Sequence, residues 1–429
     1  MRHAIISPEL FVKNRAKLIS RMERNSVAII HSNDQMVRTG DQFYPFRQNS
    51  DFFYLSGTEQ EMSVLFLYTE GGDGKNALLF LRKPDPKLET WEGKKLDPDT
   101  ASGISGIKAV HWLDDFEAVT RSLLLKSSRI YCNIPEFEKF RPEYPLRDER
   151  QMMTLKKEFP MHEFRRLAPL MAELRTLKEP EEIELIRQAV GITGSGLDRV
   201  LRFVKPGVYE FEVEAELTHE FIRRGAGGHA YPPIIASGTN ACMLHYIKND
   251  RPCREGDLLL MDFGAEYANY AADCTRTVPV NGRFSERQSE LYEATLRVFR
   301  AARSLVVPGT TIERINDAVG KLWEEEHIKL GLYSRAQVKE QAAGDPLFRK
   351  YFVHGTAHFM GLDVHDVGSK QLPLKPGMVL TCEPGLYLPD EGIGIRIEND
   401  LLVTEDGNLD LMGEFPLEAG EIEELMQGK

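Results

Sequence analysis

Apolar positions in the first 170 residues switch between two spacings. From Pro8 to Met22 they recur at helical spacing among charges, and the chain then enters the continuous run Val27-Ala28-Ile29-Ile30. Further runs of strand length lie at Val64–Tyr68, Ala77–Leu81 and Ile130–Cys132, and helical spacing returns over Phe116–Leu125. Gly71–Gly74 and Asp97-Pro98-Asp99 read as turns between them. Short strands alternating with helices of this length predict an α/β domain over residues 1–172.

A different pattern fills residues 173–429. Pro180-Glu181-Glu182 opens a helix, because proline is tolerated and acids are favoured in a first turn. Ile183, Ile186, Val190, Leu197 and Leu201 form its apolar stripe, and Pro206-Gly207 ends it. A second helix runs from about Tyr209 to Arg224. The arrangement then recurs: Glu286–Leu305, a break at Pro308-Gly309, and a helix from Ile312 to about Glu326. This repeat predicts two similar halves with a cleft between them, although so short and divergent a pattern also fits coincidence.

Several chemistries are excluded by inspection. The chain has no GxSxG elbow, Walker A loop or GxGxxG turn. His162-Glu163 and His219-Glu220 lack the second histidine of HExxH and read as exposed helix residues.

The informative residues fall between 245 and 400. Leu258–Gly264 is a buried-strand pattern that delivers Asp262, and Asp273 interrupts a second apolar stretch at Ala271–Val278. An acid placed there is costly to desolvate without a positive partner. Each aspartate alone also fits a strand-end turn or an ion pair with Arg276. His354, His358 and His365 cluster within twelve residues. Met378–Gly385 then delivers Glu383, and Gly394–Asp400 carries Arg396 and Glu398 on one strand face. Four acids and a histidine cluster on apolar strands predict a hydrolase with two divalent ions sharing carboxylates, of a kind suited to Mn²⁺, Co²⁺ or Zn²⁺.

Composition narrows the setting. With 66 acids against 54 bases, a formal −12, the 429-residue chain does not read as a nucleic-acid binder. No apolar run is long enough to span a bilayer, and charges throughout Met1–Leu18 predict no secretory leader. Five scattered cysteines without a CxxC pair predict a reduced, cytoplasmic protein. The remaining acids, among them Glu179 and Glu182, read as solvated helix surface.

In this order the motifs resemble those of the pita-bread metallopeptidases (the creatinase and methionine aminopeptidase superfamily), over about Leu177 to Glu424. The stretch Tyr44–Gly57, with Arg47-Gln48-Asn49-Ser50-Asp51 at its centre, is similar to the signature of the N-terminal domain in Xaa-Pro aminopeptidases (aminopeptidase P, family M24B). The fold class implied is α/β (α+β) in two domains: an N-terminal creatinase/aminopeptidase P-like α/β domain and a pita-bread catalytic domain with a pseudo-twofold repeat.

The resemblance implies a metal set of Asp262, Asp273, His358, Glu383 and Glu398, with Asp273 and Glu398 bridging two ions. Asp262 would chelate one ion, and His358 and Glu383 would hold the other. Those ions would be Mn²⁺, with Co²⁺ or Zn²⁺ as alternatives. His245, His354, His365, Glu383 and Arg396 would be catalytic. Trp91 would cover the substrate alongside His245, His354, His365 and Arg396, though a half-exposed loop aromatic fits it equally. The activity implied is release of the first residue from peptides with proline second, by a hydroxide bridging the ions. The alternatives are an Xaa-Pro dipeptidase and, more remotely, a non-catalytic pita-bread binding module. A homodimer or homotetramer is implied, with Xaa-Pro peptides as partners and neither nucleic acid nor membrane. The compact loop Gly368–Gln371 departs from relatives with a longer, arginine-bearing segment and leaves peptide length open.

Overall fold

The computed structural model describes residues 3–71, 76–137, 143–342 and 344–428, so most of the turn read at Gly71–Gly74 lies outside the described residues. The chain divides into two compact units, Ile5–Arg175 and Met1–Ala4 with Thr176–Lys429.

The first unit is built on a six-stranded mixed sheet. Its central strand, Ser26–His31, is buried on both faces, which is why it reads as an unbroken apolar run. It pairs antiparallel with Val64–Tyr68 and parallel with Arg129–Cys132. Helices Pro8–Arg21 and Phe116–Lys126 form where their spacing predicts. Asp97-Pro98-Asp99 opens a helix instead of a turn. The Asp97 carboxylate accepts the Thr100 N–H at 2.9 Å and Pro98 occupies the first helical position. His162-Glu163 is not helical. The preceding helix stops at Glu158, just before Pro160, and Glu163 starts the strand Glu163–Arg166.

In the second unit the repeat is real at the level of single hydrogen bonds. Helices Pro180–Phe203 and Glu210–Arg223 form the first pair, and Glu286–Ser304 and Ile312–Lys329 the second. Gly207 and Gly309 both take positive φ, +95° and +86°, which only glycine adopts without strain. Gly207 donates its N–H to Cys253 and Val208 accepts from Cys253. Gly309 donates likewise to Leu374 and Thr310 accepts from it. Each helix pair packs on antiparallel strands: Ile234–Ser237, Leu258–Phe263 and Cys274–Pro279 in the first half, Val379–Cys382, Asn399–Val403 and Asn408–Asp410 in the second. One core joins them, with Trp323, Leu259, Phe263, Leu380 and Leu401 fully buried. Glu179 and Glu182 are buried, not solvated. Glu182 caps its own helix by accepting the Glu179 N–H and takes a second bond from the Tyr270 hydroxyl.

A buried histidine in this core sets an acid limit on stability. His327 is fully buried, stacked on Trp323 at 5.1 Å, and burial pushes its pKa down to about 4. The folded chain therefore keeps it neutral while the unfolded chain protonates it near 6.5, so stability is lost as pH falls through that window. Between pH 7 and pH 5 the wild type should lose about 2 kcal/mol more than His327→Phe. Urea unfolding of both proteins at the two pH values measures it.

Candidate metal centre and peptide site

Strand pairing brings the candidate ligands together. Asp262 lies on the Leu258–Phe263 strand, opposite Thr275 on its neighbour, and Asp273 precedes that neighbour directly. Thr275 bridges in turn to Glu398, accepting the Glu398 N–H at 3.1 Å and donating its hydroxyl to Glu398 Oε2 at 2.6 Å. The residues around His358 run beside the Val379–Cys382 strand. His358 and Thr381 exchange bonds, and Glu383 donates its N–H to Thr356. Running beside that strand and its end thus carries His358 and Glu383 to the same place.

The donor atoms of Asp273, His358 and Glu398 lie within 4.8 Å of one another. His358 Nδ1 meets the Phe359 carbonyl at 3.1 Å, which leaves Nε2 directed at Asp273 Oδ2, 3.4 Å away, and Glu383 Oε1, 3.7 Å away. The Tyr231 hydroxyl sits between Asp262 Oδ1 at 2.6 Å and Asp273 Oδ1 at 2.5 Å. One hydroxyl has one proton and cannot donate to both carboxylates at once.

Arg396, almost fully buried, ion-pairs with Asp262 and stands 4.0 Å from Glu398. Arg276 is not a partner of either aspartate. Its guanidinium bonds the Pro416 and Glu398 carbonyls and Asn399. Asp400, also buried, accepts the Asp273 N–H at 3.1 Å.

The charges do not balance. Burial, reinforced by neighbouring carboxylates, holds Asp262, Glu398 and Asp400 above the ordinary carboxylate range. It takes Glu383 to about 7 despite His358 and Arg396. Burial opposes the His358 charge as well, yet Asp273 and Glu383 outweigh it and lift the imidazole to about 9. A set of four carboxylates and one imidazole that draws protons this strongly is short of positive charge. Divalent ions fit it, and oxygen-rich donors with a single imidazole are the chemistry that selects them.

The remaining candidates sit around this cluster. His354 Nε2 lies 2.7 Å from the Tyr387 hydroxyl, which accepts from Arg396 Nη1 at 2.8 Å. The tyrosine proton is therefore directed at His354, whose Nδ1–H faces the Gly355 carbonyl at 2.8 Å and stands 3.5 Å from Glu383. Burial and the Arg396 charge push His354 down to about 3, so it is a neutral imidazole. His365 packs edge-on against His358 with ring centres 4.4 Å apart. His245 is exposed and lies near His354. Trp91 belongs to the first unit. It stands on the short helix Pro86–Glu92, capped by Asp85, and is 87% exposed, neither in a loop nor half-buried.

Tyr231, Tyr387, Thr275 and Asp400 have no role assigned from the sequence. Tyr387 had a positional signal, four residues past Glu383, and the other three had none beyond lying beside a candidate acid or a proline pair.

A buried ion pair clamps the histidine loop. Lys178 Nζ stands 3.2 Å from Asp366 Oδ2, with both side chains essentially inaccessible. Asp366 also donates its N–H to Phe359, which closes the loop carrying His365. Lys178→Met should lower stability by about 3–5 kcal/mol, because a carboxylate would stay buried without its cation. Denaturant midpoints read it directly.

Residues 184–405 match the family model of metallopeptidase family M24. Residues 11–131 match that of the aminopeptidase P N-terminal domain. The chain is 37% identical to the Xaa-Pro aminopeptidase of Haemophilus influenzae, covering 99% of this chain and 98% of that one. It is 36% identical to the Xaa-Pro aminopeptidase of Escherichia coli, covering 98% of each. The structure of Escherichia coli aminopeptidase P with the inhibitor Pro-Leu superposes with a TM-score of 0.89 at 34% identity, over 99% of both chains. The zinc-substituted form of that enzyme in complex with product gives 0.88, again over 99% of both.

Proposed function

The chain belongs to metallopeptidase family M24 and carries the aminopeptidase P N-terminal domain, and from that premise we propose that it removes the first residue of peptides whose second residue is proline. The observation that carries this reading is the buried convergence of Asp273, His358 and Glu398 donor atoms within 4.8 Å, with Asp262 and Glu383 adjoining.

In this reading Asp262, Asp273, His358, Glu383 and Glu398 hold two divalent ions. When bound, these ions supply Lewis acidity and water acidic enough to be a nucleophile at neutral pH. The chain's own groups do the rest. Glu383 carries the proton from the attacking water to the leaving proline nitrogen at its carboxylate oxygens. Neutral His354, fixed by Tyr387 and the Gly355 carbonyl, receives the proline end together with Arg396. His245 and His365 donate to the substrate carbonyl as negative charge develops there. An Xaa-Pro bond has no N–H, so the pocket recognises it by shape rather than by an acceptor.

Mn²⁺ is the proposed ion, with Co²⁺ and Zn²⁺ as alternatives, on the strength of the oxygen-rich donor set. A homodimer or homotetramer is supported by the exposed apolar residues Val37, Phe43 and Tyr44 around one strand pair. The five free cysteines support a reducing, cytoplasmic setting. No helix among the described residues is long and apolar enough to cross a membrane.

The test is competitive: Mn²⁺-loaded protein given Gly-Pro and an Xaa-Pro tripeptide side by side. Release of the first residue from the tripeptide is expected. Cleavage confined to Gly-Pro would make it a dipeptidase instead, and cleavage of neither would remove the peptidase reading.

A further inference from the structure

His245 has no strand or helix to hold it. It lies on the segment Ser237–Arg251, which starts at the last residue of the Ile234–Ser237 strand and is irregular beyond a short helical turn at Gly238–Cys242. One buried carboxylate gathers more of the segment's hydrogen bonds than any other side chain. Glu210, the first residue of its helix and fully inaccessible, accepts five hydrogen bonds, all from this segment. Oε1 takes the Ser237 N–H and hydroxyl, both at 2.7 Å, and the Asn240 amide at 3.0 Å. Oε2 takes the Tyr246 hydroxyl at 2.7 Å and the Arg251 N–H at 2.9 Å. These donors bracket His245 from both sides, and Tyr246 is its immediate neighbour. One turn along the helix, Glu214 takes the Asn249 amide at 2.8 Å. The outer face of the segment, including His245, Asn240, Tyr246 and Arg251, lines an open cavity of about 660 Å³.

A carboxylate buried this deeply needs all of its acceptor capacity used. Glu210 satisfies that by binding donors from one segment, so its geometry and that of the segment are a single unit. We propose that Glu210 is a positioning residue for catalysis: it fixes His245 at the mouth of the site through Ser237, Asn240, Tyr246 and Arg251, without touching substrate or metal. The inference rests on the aminopeptidase reading above. It differs from ordinary structural support because it acts through one named side chain.

The experiment is a double-mutant cycle of wild type, Glu210→Gln, His245→Ala and the double variant. All four are loaded with Mn²⁺ and assayed on Ala-Pro-Gly for kcat and KM, with bound manganese and melting temperature measured on the same samples. The glutamine amide keeps the shape but turns one acceptor into a donor facing donors. A displacement of His245 should lower kcat/KM by up to about 100-fold. That loss should vanish in the His245→Ala background, and manganese content should stay at the wild-type level in every variant. Losses that multiply would overturn the inference, as would manganese loss in Glu210→Gln or a His245→Ala variant with unchanged kcat/KM. An inactive wild type would instead overturn the aminopeptidase reading and this inference with it. If Glu210→Gln is insoluble, Tyr246→Phe, which removes one of the five donors, takes its place in the same cycle.

Discussion

Asp273→Asn should leave a folded protein that turns over Xaa-Pro peptides roughly 10³-fold more slowly, the equivalent of about 4 kcal/mol of lost transition-state stabilisation. The substitution keeps the size of a side chain that is only 4% exposed, and keeps one oxygen. It removes the charge that faces Tyr231 on one side and His358 on the other. Bound metal, measured on the purified protein, should fall well below the wild-type level. A chelator should reproduce the loss in the wild type, and added Mn²⁺ should reverse it there but not in the variant. Stability should move the opposite way in metal-stripped protein. Asp273 raises the carboxyls of Asp262, Glu383, Glu398 and Asp400 by repulsion, so its neutralisation should hold or raise the melting temperature. A variant with wild-type turnover and metal content would remove the metal assignment.

Gly264→Ala should have the larger effect on folding. A Cβ at Gly264 would stand 1.7 Å from the Ala272 carbonyl oxygen and 2.5 Å from its carbon. The obstacle is backbone, and it cannot swing aside: Ala272 donates to Ala265, and Gly264 accepts from Ala230. Overpacking in a core costs about 1–3 kcal/mol when side chains can yield, and more where they cannot. Loss of soluble protein, or a drop above about 3 kcal/mol, is therefore expected. Gly407→Ala is the control, since its Cβ would meet nothing within 4 Å. The site is affected directly as well. Gly264 lies two residues past Asp262 and Ala272 lies one before Asp273, so this close contact sets the spacing of the two aspartates. Soluble Gly264→Ala protein should bind metal poorly, and an unchanged melting curve would show that the contact is not the constraint described.

The acids were legible in the sequence because each interrupts an apolar strand, where a charge has no local reason to be. The Pro-Gly repeat was legible because glycine in that conformation leaves a trace in one residue. Tyr231, Asp400 and Glu210 were not. Their significance lies in partners 27 to 127 residues away, as with Glu210 and Ser237 or Asp400 and Asp273, and a tyrosine or an acid beside a proline or a helix start has ordinary local explanations. The errors have the same source. Glu179 and Glu182 carry the composition of a solvated helix start, and only the fold turns that start inward. His162-Glu163 follows a helical pattern past Pro160, where proline stops it. Trp91 looked like a loop aromatic because a two-turn helix with no buried residue has no periodicity to detect.

The split of the candidate ligands between the two halves also sets the order in which they are synthesised. Asp262 and Asp273 leave the ribosome with the first half, whereas His358 emerges 85 residues after Asp273, and Glu383, Arg396 and Glu398 later still. Until then the first half holds two acids on apolar strands without the arginine, the imidazole or the remaining carboxylates that complete the centre. A chain cut before residue 396 would lack Arg396 and Glu398, and because one core joins the two halves it would also lack part of the packing that holds Asp262 and Asp273 in place.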